Sequence, residues 1–284
     1  MKLIILILII PLLFLINIIY NRMESFNNNK RGTCKCIDYS KKNNNLYIKQ
    51  KKTKKEITDI KCEKNVKKGS DFCPKHQDCK KFLKKFTNGS ESKYDEIAWG
   101  KPYTISSHNC YTYFLDDIMK SLRKKCENIC KKHNKDNCPT KTSQCRKLIP
   151  QPGDISLLNK EGNLNNKTFN YTCDEMEKKI MDDNPIIYKE QLTKKCKKGY
   201  YKGSMVADPG NTFHFYRQNK DGTWSHKPGT LPITQLDADD LPIYTPFTAN
   251  KDYSTPGDDD PINYTDFCGY YCIPTNSTAK TNAN

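Results

Sequence analysis

Phe213-His214-Phe215-Tyr216-Arg217-Gln218-Asn219-Lys220-Asp221-Gly222-Thr223-Trp224-Ser225-His226 is the stretch that decides how this chain folds. Residues 212–218 and 223–226 read as strands, and Asn219-Lys220-Asp221-Gly222 between them is a good turn sequence, so the segment predicts a β-hairpin. Loop length then decides which side chains share a face. A three-residue loop, Lys220-Asp221-Gly222 with the glycine left-handed, sets Asn219 against Thr223. It sends His214 and His226 to one face, a diagonal step apart, with Tyr216 opposite His226. A two-residue Asp-Gly turn would send the histidines to opposite faces. The even register is the expectation.

About a hundred residues upstream stands Asn109-Cys110-Tyr111-Thr112-Tyr113-Phe114-Leu115. Tyr111, Phe114, Leu115, Ile118, Met119 and Leu122 fall at helical spacing, with Asp116, Asp117, Lys120 and Arg123 outside them. The pattern predicts a helix N-capped by Asn109 and ending near Lys125. A cysteine in its first turn sits at the positive end of the macrodipole, which lowers its pKa toward neutrality. Such a thiol needs a base within hydrogen-bond reach and a third group to orient that base, and the hairpin can supply both. The alternative is plain: Cys110 is half a disulfide and the two histidines are structural.

The chain has 284 residues, 14 cysteines and a formal net charge of +16. Residues 3–20 are uncharged and almost all apolar, long enough to cross about 30 Å of hydrocarbon. No small-x-small cleavage site follows, so 1–21 is expected to be an uncleaved single-pass membrane anchor. Arg22, Lys30, Arg31 and Lys35 outweigh Lys2, which favours a cytoplasmic or virion-interior body. Sequons at Asn88, Asn166, Asn170, Asn263 and Asn276 favour the opposite side, and the cysteines imply an oxidising setting, a metal or both. The side of the membrane stays open.

Residues 22–60 read as a basic polar tether and 61–90 as a Cys/His knot. A folded domain over 91–250 carries a Cys-rich insertion at 123–150, and 251–284 reads as an acidic, Cys-containing tail. Residues 30–85 hold 19 Lys and Arg against 6 Asp and Glu, whereas 231–284 holds 8 Asp against 2 Lys. The basic zone suits anionic membrane or nucleic acid, with a plain solvated linker as the equal alternative, and no aromatic interleaves Lys49 to Lys55. No Gly-rich phosphate loop is present, so nothing points to a nucleotide site.

Cys62 and Cys73-Pro74-Lys75-His76, with Cys34 or Cys36 upstream, resemble short zinc-binding motifs, which makes Cys34, Cys36, Cys62, Cys73 and His76 candidate ligands of a structural zinc. A disulfide-stapled knot is the equal alternative. Cys126, Cys130, His133, Cys138 and Cys145 offer a second metal set, with disulfides favoured. Cys126 and Cys130, four apart on one helix, fit poorly as partners of each other. Cys173, Cys196, Cys268 and Cys272 read as further staples.

Ala98-Trp99-Gly100 ahead of Asn109-Cys110, then Gln151-Pro152-Gly153-Asp154-Ile155, then His214 and His226 twelve residues apart, resemble in their order the NlpC-type cell-wall peptidases. Tyr113, three after the cysteine, is similar to the related CHAP amidases, and the hairpin also resembles uncharacterised proteins of large DNA viruses. The resemblance covers about residues 95–230. It departs at Ile97, where the family has Tyr, at Cys110-Tyr111-Thr112, where the family has Cys-Ser-Gly, and in the Cys-rich insertion. What it implies is an α+β papain-like fold, a Cys-bearing helix on an antiparallel His-bearing sheet, with Pro-Gly-Asp starting a strand. By the same resemblance Cys110 attacks an amide or ester carbonyl of a peptide or cell-wall-like substrate, His214 is the base and His226 fixes its tautomer. Tyr103, Ser107 and Asn109 are candidates for the oxyanion side. The alternatives are a catalytically silent structural module of the same fold, in a virion for example, and a basic zinc-knot protein on nucleic acid or anionic membrane.

Overall fold

The hairpin forms with the even register. Tyr216 lies opposite His226, Arg217 opposite Ser225, and the Asn219 N–H donates to the Thr223 carbonyl at 2.8 Å. Gly222 takes the left-handed position at φ +89°, and a Cβ there would lie 2.5 Å from the Lys84 backbone nitrogen. Only glycine closes this loop against its neighbour without a shift. The computed structural model describes residues 79–132, 143–161, 169–257 and 259–275, all within one compact unit.

Along the chain run α1 (Cys79–Lys84), α2 (Glu96–Trp99), α3 (Pro102–Ser107), α4 (Cys110–Phe114), α5 (Lys120–Lys132), α6 (Ser143–Arg146), α7 (Asp154–Glu161) and α8 (Cys173–Asp183). The strands follow as β1 (Tyr188–Glu190), β2 (Tyr200–Asp208), β3 (Thr212–Gln218), β4 (Trp224–His226) and β5 (Asp266–Pro274). They make one antiparallel sheet in the order β1-β5-β2-β3-β4, which gives an α+β fold.

Strand alternation sorts the sheet into two faces. Tyr201, Met205, Phe213, Phe215, Tyr271 and Ile273 pack with Tyr111, Phe114 and Leu115 of α4 and with Met176 and Ile180 of α8. Gly203 sits mid-strand because a Cβ there would lie 2.4 Å from the Phe114 ring, so the aromatic rests directly on β2. The other face carries His214, Tyr216, Trp224 and Tyr270 and is covered by the chain between β4 and β5. Trp224 meets Tyr270 at 5.6 Å and Phe247 meets Phe267 at 4.9 Å.

Four expectations are corrected. The acidic stretch after 251 is not a tail beyond the domain: it supplies β5, every residue buried, between β1 and β2. Disulfides Cys173–Cys268 and Cys196–Cys272 fasten that strand to α8 and to the chain entering β2. The helix from Cys110 does not run to Lys125 but stops at Phe114, and Asp116 is left-handed at φ +51°. Its carboxylate is drawn aside by Arg217 and Ser92, and the chain resumes as α5 at Lys120. Pro152-Gly153-Asp154 begins a helix rather than a strand. Gly153 turns at φ +91°, and Asp183 of α8 accepts from the Gly153 N–H at 2.7 Å and the Ser156 N–H at 2.9 Å, which satisfies the start of α7.

The fourth correction concerns the membrane. Among the described residues no helix is long and apolar enough to cross a bilayer, so the single-pass placement finds no support and is set aside. Residues 1–21, on which it rested, lie outside the described residues, as do the basic tether and the candidate zinc ligands Cys34, Cys36, Cys62, Cys73 and His76. Of the expected knot over 61–90, residues 79–90 are described, and α1 packs against the hairpin turn with Leu83 fully buried.

Gly222→Ala tests the closure of the hairpin. The substitution should destabilise the protein by about 1–3 kcal/mol, read as a lowered denaturation midpoint, because it strains a left-handed residue and drives a methyl group into α1. An unchanged midpoint would mean that the turn does not govern the fold.

Candidate thiol–imidazole site

Eight of the nine described cysteines are disulfide-bonded, and Cys110 is the free one. Asn109 caps its helix: its side-chain oxygen accepts from the Thr112 N–H at 3.1 Å, while the Thr112 hydroxyl accepts from the Asn109 N–H at 3.0 Å. Two bonds dock α4 on the hairpin. The Tyr113 hydroxyl meets Ser225 Oγ at 2.6 Å, and buried Arg217 pairs with Asp116 while its guanidinium lies 4.0 Å from the Tyr113 ring centre.

Cys110 therefore lies where β4 leaves the sheet. Pairing ends at Tyr216 and His226, so the Phe215 N–H that would have bonded to β4 is released and points at the sulfur instead. His214 is the residue before. Its Nε2 lies 2.7 Å from His226 Nδ1, and His226 Nε2 lies 2.9 Å from the Leu236 carbonyl oxygen.

A carbonyl only accepts, so His226 carries its proton on Nε2 and, when neutral, offers Nδ1 as an acceptor. His214 must then donate from Nε2, which leaves its Nδ1 as a bare lone pair. Among the described residues that Nδ1 makes no hydrogen bond, and none joins Cys110 to either imidazole. Burial holds both rings neutral: it draws His226 down to about 4 and His214 well below its usual range, with the neighbouring His226 adding to the effect.

The thiol is neutral too. Burial pushes Cys110 up to about 12, against the Phe215 N–H, the Lys227 ammonium and the N–H groups of Tyr111 and Cys110 itself, all of which favour the anion. The expected macrodipole-stabilised thiolate is thus corrected, because a helix of five residues carries little dipole and burial outweighs it. Tyr264 stacks on His214 at 5.4 Å, and Tyr253 lies 6.4 Å from His226. Cys110, His214 and His226 are 5%, 3% and 1% exposed beneath this cover.

The oxyanion candidates are otherwise engaged. Tyr103 packs on the cluster of Cys126, Cys130 and Cys145. Ser107 donates to the Tyr103 carbonyl at 2.5 Å, and Asn109 spends its amide on the Pro150 carbonyl at 3.0 Å. Two buried residues beside the thiol escaped the sequence reading. His108 accepts from the Met119 N–H at Nε2 (3.0 Å) and meets Ser107 Oγ at Nδ1 (2.9 Å), and burial reinforced by Lys227 draws it down to about 4. Lys227 follows His226 and gives all three ammonium protons to carbonyls. The one available signal was position, His108 standing two residues before Cys110 and Lys227 next to His226.

Elsewhere the sulfurs of Cys126, Cys130 and Cys145 lie within 4.8 Å of one another, a buried cluster able to hold a metal ion as thiolates. Cys126 and Cys145 are bridged, and Cys130 is disulfide-bonded as well, so ligation requires reduction first.

Histidines held neutral by burial make stability depend on pH. Below about 6.5 the unfolded chain takes up protons that folded His226 refuses until about 4, so unfolding becomes easier as pH falls through that window. Urea denaturation between pH 7 and pH 4 should show a steep loss for the native sequence. His226→Asn should flatten that slope by a few kcal/mol across the window. Equal slopes would contradict a neutral buried His226.

No family model matches the chain, and no solved structure matches it. The chain is 40% identical over 48 residues to "Insoluble matrix shell protein 1" of Ruditapes philippinarum. The match takes in 17% of this chain and spans about a third, 32%, of that protein.

Proposed function

We propose that the protein is a thiol-dependent acyl hydrolase of the papain-like kind, with Cys110 as nucleophile, His214 as general base and His226 as the residue that orients it. The observation that carries the reading is the hydrogen-bond chain from the Leu236 carbonyl through His226 to His214 Nε2, which leaves the lone pair of His214 Nδ1 available as a base. Further support comes from the free thiol at the start of a helix docked on an antiparallel sheet, in a chain whose other described cysteines are oxidised.

The chemistry starts from a neutral pair. The Cys110 proton passes to His214 Nδ1 as sulfur attacks the carbonyl carbon of an amide or ester. Collapse of the adduct breaks the C–N or C–O bond, and the leaving group takes the proton back from Nδ1. Water then attacks the thioester, giving its proton to Nδ1, and the thiol is restored as the acid departs. His214 Nε2 donates to His226 throughout. Sulfur and imidazoles are buried at rest, so substrate reaches them only when the chain over the site opens. A peptide or cell-wall-like amide is the substrate class that the resemblance implies.

A second reading, a structural matrix module of the same fold, is favoured by the closure of the site and by the local likeness to a shell protein. A structural zinc at Cys126, Cys130 and Cys145 belongs to either reading, for the reduced protein alone, and metal content measured before and after reduction tests it.

A small acylating thiol probe separates enzyme from scaffold. Native protein should be labelled at Cys110 near neutral pH, Cys110→Ser should not be labelled, and His214→Ala should be slowed by about a hundredfold or more. Equal labelling of native and His214→Ala protein leaves the structural reading in place.

A further inference from the structure

We infer that Lys227 is the positioning residue of the thiol, a buried clamp that holds the turn bearing Cys110 against the chain leaving His226. The inference deepens the thiol–imidazole reading and rests on it.

The Lys227 ammonium donates to the Ile105 carbonyl at 3.0 Å, the Gly229 carbonyl at 2.7 Å and the Leu231 carbonyl at 3.1 Å. Ile105 belongs to α3, and its carbonyl is left without the backbone donor four residues on, since the Asn109 N–H goes to Thr112 Oγ1. Lys227 fills that vacancy. Between Ile105 and Cys110 lie only three residues before the cap, with His108 extended at φ −125° and ψ 150°. Lys227 is itself the residue after His226. One side chain therefore sets the distance between the segment that presents sulfur and the strand end that presents imidazole.

Its charge matters as well as its reach. The ammonium is fully buried and meets no carboxylate among the described residues; the ionisable neighbour acting on it is Cys110, and it acts in turn on His108. The Phe215 N–H bonds to the sulfur, and the charge of Lys227 favours its anion. Burial draws Lys227 down to about 7, yet a neutral amine has two protons for three carbonyls, so hydrogen bonding retains the charged form. An ammonium without an acidic partner is placed to accept a thiolate as its counter-ion whenever sulfur gives up its proton.

Alkylation of Cys110 by iodoacetamide, followed from pH 6 to pH 10, tests this on the native protein and three variants. Lys227→Met keeps length and loses charge, and should slow alkylation at neutral pH by about tenfold, the equivalent of about one unit of thiol pKa. Lys227→Arg should restore part of the rate. A folded Lys227→Met protein with the native pH profile overturns the inference. His214→Ala run alongside separates the two ideas: its slowing while Lys227→Met stays native removes the clamp alone, and the reverse result removes the imidazole base and leaves the clamp. Should Lys227→Met fail to fold, the Lys227 Nζ resonance is titrated in Cys110→Asp and Cys110→Asn. A midpoint higher in the Asp variant by about one unit supports the pairing, and coincident midpoints overturn it.

Discussion

The register of one hairpin carries this structure. Every side chain of β4 would change face if the loop after Asn219 gained or lost a residue, because strand alternation has a period of two. Ser225 would then lose both Tyr113 and Asn219, which it joins at 2.6 and 2.8 Å, and α4 would lose its tie to the strand. His226 would turn away from His214. The register is therefore held from several sides: by Gly222 pressed against α1, by Asp221 accepting from the Thr223 N–H at 3.0 Å, and by the Asn219 amide on Thr223 Oγ1 at 3.1 Å.

The short length of β4 matters as much as its register. After three residues the strand departs, and an edge N–H on β3 is left for a partner that is not backbone. An unpaired edge donor is ordinarily an invitation to another strand. Here it is spent on sulfur, in the plane of the sheet, beside an imidazole that alternation sends to the face away from α4. The sulfur thus lies at the edge of the sheet, against the backbone of the residue that follows His214.

The hairpin was legible in the sequence because its turn residues and register are local properties. So was the pairing of Cys173, Cys196, Cys268 and Cys272 as staples, although not which joined which. The break at Asp116 was hidden, since helical spacing continued through it and the cause, Arg217, lies 101 residues away. Composition likewise concealed β5: the aspartates around 258 look like a solvated tail, whereas the next segment is the second strand of the sheet. Lys227 could not be recognised because its partners are main-chain carbonyls, which leave no mark in a sequence. Asn109 was identified correctly as a cap, and that role is what removes it from the oxyanion side, where the same residue was also expected.

Burial governs the chemistry of Cys110 in two opposing ways. Thiol–disulfide exchange requires a thiolate that can reach a disulfide, so a reduced cysteine among oxidised ones persists only if it is neutral, covered or both. The cover of Tyr264 and the apolar packing around α4 supply that protection, and they raise the thiol far above neutrality in doing so. The same burial keeps His214 and His226 uncharged, which preserves the one tautomer that exposes a lone pair on Nδ1. A resting ion pair would have required water or a carboxylate at the imidazoles, and the second ring occupies that place with a carbonyl behind it. Reactivity at this sulfur is therefore coupled to uncovering, because admitting a polar group beside it relieves the desolvation that keeps the proton on sulfur.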